Sequence, residues 1–448
     1  MNFQENTFYL RNADTLKTKY GLEYQYRTDR LPVNGELVDN AESETYNAFF
    51  RTEFDTYNNL DVLFTYRNLT RLNETSDNRT DETIMGRIDW VGTFFNRAIR
   101  SDLSYNLSNS RELRREFIFI LVPTGEGTHT WRDDNADGVQ DLNEFYIAVN
   151  PDEKNYAKIF VSGDTFEEAF NTIINYRLNL DFPRDWANES GIKKAFSKIS
   201  NITSWSLNSK VTDDDLGTRL LPLNVNEEDL LAVNDNLRST FFFNRSSTTF
   251  SADVGIAQVE NQQLLLNGFE RRLNKDLRYH ARWNVNKRLN LDLNFIDGQR
   301  ISQSDVLTQR NYQVQTETLE PAVTWQPSRN LRLRANLAYK EKQNVISEAS
   351  EESSQISELG VNTRFAKAAK STIGLIFKYI DIDFTGIETS PVGYELLEAL
   401  RPGRNLTWNL NWQQRLGKGL QMVIRYDGRS SQGNRTVHLG RVQVSALF

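Results

Sequence analysis

The twelve residues from Asp133 to Glu144 read DDNADGVQDLNE. Oxygen-bearing side chains stand at Asp133, Asn135, Asp137, Asp141 and Glu144, and Gly138 takes the sixth place. This is the spacing of a calcium loop. A tightly curling backbone would turn Asp133, Asn135 and Asp137 toward one ion. Val139 would offer its carbonyl oxygen, Asp141 a direct or water-mediated contact, and Glu144 a bidentate carboxylate. Gly138 permits the sharp turn. The carboxylates of Asp133, Asp137, Asp141 and Glu144 would repel one another unless a cation sat among them. Calcium is therefore the expected cofactor, in a structural role; a polar Asp/Asn/Gly turn is the plainer alternative. No helix pattern flanks the loop: GTHTW precedes it and FYIAV follows. The ion would brace a connection between strands.

Other chemistry is scarce. The chain has no cysteine, which excludes disulfides, zinc–thiolate sites and cysteine nucleophiles. Its three histidines are His129, His280 and His438. His280 lies between Arg278 and Arg282 on a polar strand face. Two neighbouring cations disfavour the imidazolium that a Ser–His mechanism needs, and no nucleophile signature accompanies it. No catalytic residue and no enzyme activity is expected. A net charge of −7 on 448 residues gives no concentrated basic face, so nucleic acid is not an expected partner.

The elements that carry these residues have a period of two. In FNTIINYRLNLDF, Phe170, Ile174, Tyr176, Leu178, Leu180 and Phe182 share one parity, and Asn171, Asn175, Arg177, Asn179 and Asp181 share the other. That is a strand with one apolar and one polar face. LRYHARWNV, LNLDLNF, LRLRANLAY, LTWNLNW and LQMVIRY repeat the pattern. About 18 such segments run from 20–28 to 436–448. Short connections such as YNN, NKR and QPSRN alternate with long polar ones at 28–45, 69–83, 109–169, 212–235, 259–275, 298–311, 343–356 and 382–403. The link 183–199 is long for the short side. EEDLLAVND and YELLEAL read as short helices within connections.

Short turns on one side and long loops on the other describe a transmembrane antiparallel up-and-down β-barrel, all-β, of about 18 strands within a range of roughly 16–20. A soluble all-β sandwich is the alternative. Aromatics at the strand ends (Tyr26, Tyr66, Trp90, Trp205, Trp325, Tyr339, Trp412 and Tyr426) favour the barrel, as does the densely polar opposite face. Residues 1–19 are expected as a short periplasmic segment, 20–448 as the barrel, and 109–169 as a long extracellular excursion carrying the calcium-type loop. No apolar run approaches the length of a membrane-spanning helix. The first residues lack the basic and apolar regions of a signal peptide.

The chain ends HLGRVQVSALF, with Gly440, Val442, Val444, Ala446 and Phe448 on one parity. This resembles the C-terminal insertion signal of bacterial outer-membrane barrels, a terminal aromatic preceded by alternate apolar residues. The resemblance implies recognition by the barrel-assembly machinery and residence in the lipid of the cell outer membrane. GTHTWRDDNADGVQDLNEFYIA further resembles a motif of large outer-membrane barrels of the Bacteroidota: an aromatic strand end, then D-x-N-x-D-G, then N-E-F.

A barrel of this size leaves an aqueous channel. By parity its lumen-lining residues include Arg87, Arg100, Arg177, Arg278, Arg282, Arg332, Arg334 and Arg425 among mixed charges, a wall suited to hydrophilic solutes with a weak anion bias. The expected function is transport or export of small or polymeric hydrophilic solutes through a porin-like polar channel. The alternative is a translocon or surface-docking barrel subunit, such as an adhesin, working with other outer-membrane or periplasmic subunits. A TonB-dependent transporter carries a globular plug before its first strand. With residues 1–19 alone ahead of Tyr20, this chain by itself is not expected to be one.

Overall fold

The computed structural model describes residues 2–446, apart from 14, 34, 73–79, 135, 214, 223–224, 226–228, 266–267, 306, 347–351, 368–369 and 418. The strands are β1 Asn2–Arg11, β2 Thr18–Val33, β3 Glu36–Asp55, β4 Asn58–Arg71, β5 Thr80–Phe94 and β6 Ile99–Leu121. Two short strands, β7 His129–Trp131 and β8 Phe145–Ile147, lie in the excursion, and β9 Tyr156–Asp181 returns from it. Then come β10 Ile199–Val211, β11 Leu230–Phe243, β12 Phe250–Leu265, β13 Gly268–Asn284, β14 Leu289–Ser304, β15 Tyr312–Trp325, β16 Leu331–Asn344, β17 Ser353–Lys367, β18 Ser371–Thr385, β19 Gly403–Gly417, β20 Leu420–Ser431 and β21 Val437–Ala446. Among the described residues, three short α-helices sit in connections: α1 Ile192–Phe196, α2 Leu216–Leu220 and α3 Pro391–Leu396. Among the described residues, nineteen longer strands form one antiparallel up-and-down sheet to which the short β7 and β8 also pair, the all-β fold class expected from the period of two.

Several boundaries differ from the sequence reading. Residues 2–11, expected ahead of the first strand, form β1 and pair with β2 from Asn2↔Arg30 to Arg11↔Gly21. The stretches 28–45 and 259–275, expected as long loops, are mostly strand, because β2 continues to Val33 and β12 to Leu265 before the chain turns. Alternation fades there, in TDRLPV and ENQQLL, while the backbone ladder continues regardless. EEDLLAVND is not helical where it is described; Leu230 opens β11, and its side chain is buried with Phe170 and Val211. Link 183–199 carries α1, and Phe182 packs there against Trp186 and Phe196, with ring centroids 5.6 and 5.3 Å away.

Contacts divide the chain into two compact units. The first is Met1–Arg114 with Asp164–Ser239 and Glu260–Leu264; the second is Arg115–Gly163 with Thr240–Val259 and Leu265–Phe448. In the first, the register sets Phe8 opposite Tyr24, Tyr24 opposite Tyr46, and Tyr46 opposite Tyr66. Their rings form a ladder with centroid spacings of 6.5, 5.0 and 6.2 Å. Rings in adjacent strands at one height are what an interfacial aromatic belt requires. The other face is polar: Arg51 lies opposite Asp61 and pairs with it at 2.8 Å.

In the second unit the apolar face is bare. Trp283, Leu293, Leu319, Trp325, Leu337, Tyr339, Leu359 and Phe377 are all exposed. Side chains of this kind gain about 1.5–3 kcal/mol each when fully removed from water, so a contiguous apolar face is unfavourable in an aqueous surround. The polar face of the same strands carries Asp292, Asn294, Glu320, Arg334, Lys340, Lys342, Glu358 and Lys378; Asn294 lies opposite Glu320, and Lys378 pairs with Glu358 at 2.9 Å.

Candidate functional site

The polar face of the second unit is interrupted by an apolar patch. In STIGLIFKYIDIDFT, Ile373, Leu375, Phe377 and Tyr379 share the bare face; the parity then switches, and Ile380, Ile382 and Phe384 share the other. Ile380 and Ile382 are buried with Ile356 and Leu397, while Phe384 packs against them. What buries them is the connection 386–402. Its helix α3 starts at Ser390, whose hydroxyl accepts from the Gly393 N–H at 2.9 Å, with Pro391 in the first turn. Leu396 and Val392 pack on Val314 of β15. The connection is thus a folded cap seated on the strand face.

Charge fixes the same cap. Glu398 reaches Lys340 at 2.8 Å and Lys342 at 3.1 Å. Burial acts to raise its carboxyl, but Lys342 and Lys340 outweigh it and hold the group down at about 2. Glu398 and Ala399 both lie in the left-handed region, at φ 51° and 60°. Such a backbone disfavours side-chain-bearing residues, and here packing and ion pairing impose it.

The excursion rests on this cap. The Tyr394 hydroxyl donates to the Ile147 carbonyl at 3.2 Å, and Asn150 Nδ2 donates to the Ala399 carbonyl at 3.4 Å. Arg429 of β20 binds Asp152 at 2.8 Å and Glu153 at 2.7 Å. Arg310 Nη2 donates to the Phe145 carbonyl at 2.5 Å. Phe145 stacks on Phe119 at 4.2 Å. A cavity of about 280 Å3 opens beside these contacts, with Asp152, Glu358, Lys378, Glu398, Asp427 and Arg429 among its lining.

Within the excursion, Asp133, Asp137 and Glu144 converge: one carboxylate oxygen from each lies within 4.8 Å of the others. Asp133 accepts from the N–H groups of Asp137 (3.1 Å) and Gly138 (2.9 Å), which curls the backbone. Gly138 takes φ 75° there, as the turn requires. Glu144 is 1% exposed and accepts from Trp131 Nε1 at 2.8 Å and from the Asp134 N–H at 3.2 Å. Val139 is exposed, and Asp141 stands outside the converging group. Asn135 lies outside the described residues. The donors are all hard oxygens, which fits calcium better than a softer metal. Asp134, to which the sequence reading gave no role, accepts from the Tyr146 hydroxyl and so ties the acidic turn to the ring that meets Tyr394.

Register puts Arg87, Arg100, Arg177, Arg278, Arg282, Arg332, Arg334 and Arg425 on polar faces, not in one cluster. Arg87 pairs with Asp89, and Arg278 donates to Asn294 at 3.2 Å. Arg334 reaches Asp292 at 3.3 Å and Glu320 at 3.8 Å. Arg332 lies opposite Arg364, and Arg425 opposite Arg441. His280 differs from its sequence surroundings: its nitrogens face Asp253 at 2.8 Å and Asp292 at 3.4 Å, because cross-strand neighbours approach more closely than Arg278 and Arg282 along the strand. Gly440, Val442, Val444 and Ala446 lie on β21, where Val442 and Val444 are exposed; Phe448 lies outside the described residues.

No family model matches the chain, and no curated protein matches it. Among solved structures it is similar to the siderophore receptor PirA from Pseudomonas aeruginosa, with TM-score 0.43 and 8% identity over 100% of this chain and 71% of that one. It is also similar to the copper transporter OprC, with TM-score 0.41 and 11% identity over 98% and 70% of the two chains. A third similar structure is the open form of the ferric-catecholate import receptor Fiu from E. coli K12, with TM-score 0.38 and 10% identity over 99% and 72%.

Proposed function

We propose that the chain forms the wall of an outer-membrane conduit for hydrophilic solutes, narrowed by the 386–402 cap and the excursion seated on it. The observation that carries this reading is the division of the strand faces. In the second unit one is bare and apolar; the other is polar and charged, with the cap seated on it. A bare apolar face suits lipid, and a charged opposite face suits water. The calcium-type turn would brace the excursion, so that a long connection with little core of its own holds its place on the cap. Millimolar external calcium would fill a weak site of this kind.

Reconstitution in planar bilayers tests the conduit. The intact chain should give small single-channel steps, and replacing residues 387–401 by a short Gly/Ser linker should enlarge them. Neutralising Arg332 and Arg334 together should lower the anion/cation permeability ratio. Equal conductance with and without the cap would remove the cap from the pathway, and a silent bilayer in both cases would remove the conduit.

A further inference from the structure

The cavity beside the cap lies within the second compact unit. On its strand wall the register sets Ile376, Asn409 and Asp427 in one row, and Lys378, Thr407 and Arg429 in the next. The cap adds Leu400, and the excursion adds Pro151. Most charges in this lining are already paired. Lys378 binds Glu358 at 2.9 Å, Arg429 binds Asp152 at 2.8 Å, and Glu398 binds Lys340 and Lys342. Asp427 accepts from the Asn409 side-chain amide at 2.6 Å. Arg425, two residues along the same strand face and opposite Arg441, moderates the Asp427 charge. What stays open is hydrogen-bonding capacity of both kinds. Among the described residues, the second carboxylate oxygen of Asp427, the side-chain carbonyl of Asn409 and the Thr407 hydroxyl carry no hydrogen bond. Lys378 has three N–H donors and one partner. Beside them stands Ile376, apolar on the polar face and 37% exposed.

We propose that this cavity is a binding site for a single neutral sugar ring. Each sugar hydroxyl donates and accepts at once, which matches open acceptors at Asp427 and Asn409 and open donors at Thr407 and Lys378. Ring C–H groups cover Ile376 and Leu400, and removing Ile376 from water is favourable. A charged solute would have to shed its water against a wall whose charges are mostly taken up by one another. The size agrees: about 280 Å3 lies just below the roughly 300 Å3 at which drug-sized sites begin. The site deepens the conduit reading and rests on it for the sugar's route, but not for binding itself.

Saturation-transfer NMR on the detergent-solubilised protein tests the site. Irradiating protein methyl groups should reach the ring protons of at least one of D-glucose, D-galactose and D-mannose, saturably, with no such transfer in protein-free micelles. Asp427→Asn should weaken that binding about tenfold, and Thr407→Val, which keeps the shape, about threefold or more, in proteins that retain the folded, fast-migrating band. Citrate and butylammonium, the two charged probes, should bind more weakly than the best of the three sugars. No saturable transfer to any of the three, an affinity unchanged in both variants, or tighter binding of either charged probe would overturn the site. Sugar binding with silent bilayers would keep the site and remove the conduit; conductance without sugar binding would do the reverse.

Discussion

Tyr146 and Tyr394 rest ring against ring, with centroids 5.1 Å apart and planes tilted by 40°. One belongs to the strand just after the acidic turn, the other to the cap helix, and both are buried. Burial raises both phenols, with the Asp134 bond adding to the rise at Tyr146; Tyr394 is pushed up to about 12. Both therefore stay neutral at any physiological pH. The Arg132 guanidinium lies over both rings, at 5.8 and 5.1 Å. Beside the Tyr394–Ile147 and Asn150–Ala399 hydrogen bonds, this contact is a direct route by which the excursion and the cap influence each other.

Replacing either tyrosine by leucine should loosen both segments together. A double-mutant cycle, read from the proteolysis rate of residues 122–155 under conditions where opening precedes cleavage, should give a coupling of about 0.5–1.5 kcal/mol for the ring pair. Strictly additive effects would show that the two segments hold their places independently.

Glu398 gives the cap a pH dependence of defined sign. Its carboxyl titrates at about 2 in the folded cap against 4.5 ordinarily, so the stabilisation is fully present above about 4.5 and is lost as pH falls through about 2. Protease protection of 386–402 should hold steady from neutral pH to about 4.5 and decline only below it. Glu398→Gln should leave Lys342 buried with less counter-charge. The cost should be about 2–3 kcal/mol, below that of a fully buried pair, because Glu398 is itself 32% exposed and water screens it. A cap equally protected in wild type and Glu398→Gln would show that packing alone seats it.

The strand order was legible in the sequence wherever lipid-type and water-type residues alternate, as from Phe170 to Phe182. It was not legible for β1, where Phe3 and Tyr9 fall on one parity and Phe8 and Leu10 on the other, or for the outer reaches of β2 and β12, where the alternation fades and the ladder persists. The cap's landing site left a signal that the overall pattern obscured: the apolar parity of β18 switches between Tyr379 and Ile380. YELLEAL was readable as a helix, but its seat on Val314 and Ile356 required the fold, since sequence spacing does not say which strands a connection will cover. His280 makes the same point. Its neighbours along the chain are arginines, whereas its neighbours across the ladder are aspartates.

Trp408 lies over Gly428, to which the register pairs it directly. A Cβ added at Gly428 would fall within 2.4 Å of the indole nitrogen. Gly428→Ala should therefore push the ring away from its place near His438 and destabilise the sheet locally by about 1–3 kcal/mol. The measurement is the temperature at which the folded, fast-migrating band is lost on a gel, for wild type and variant. An unchanged temperature would mean that the ring moves aside without cost.

The acidic turn yields the remaining prediction. Asp133 is curled by backbone N–H bonds, Asp137 faces it, and buried Glu144 is already fixed by Trp131 and by the Asp134 N–H. Fixing the ligand at the twelfth place beforehand would lower the ordering cost of binding a cation there. Calcium at ten times its dissociation constant would add about 1.4 kcal/mol to the ordered excursion. It should slow cleavage of 122–155 by about tenfold where opening precedes cleavage. Through Asp134, Tyr146 and Tyr394, it should also slow cleavage of 386–402, to a smaller degree. Asp137→Ala with Glu144→Ala should abolish both effects while the sheet stays folded. Magnesium should protect less, since a turn able to supply six or more oxygens suits the larger ion. Identical digestion in calcium and in chelator would show that Asp133–Glu144 is a polar turn and that the contact with Tyr394 stands without an ion.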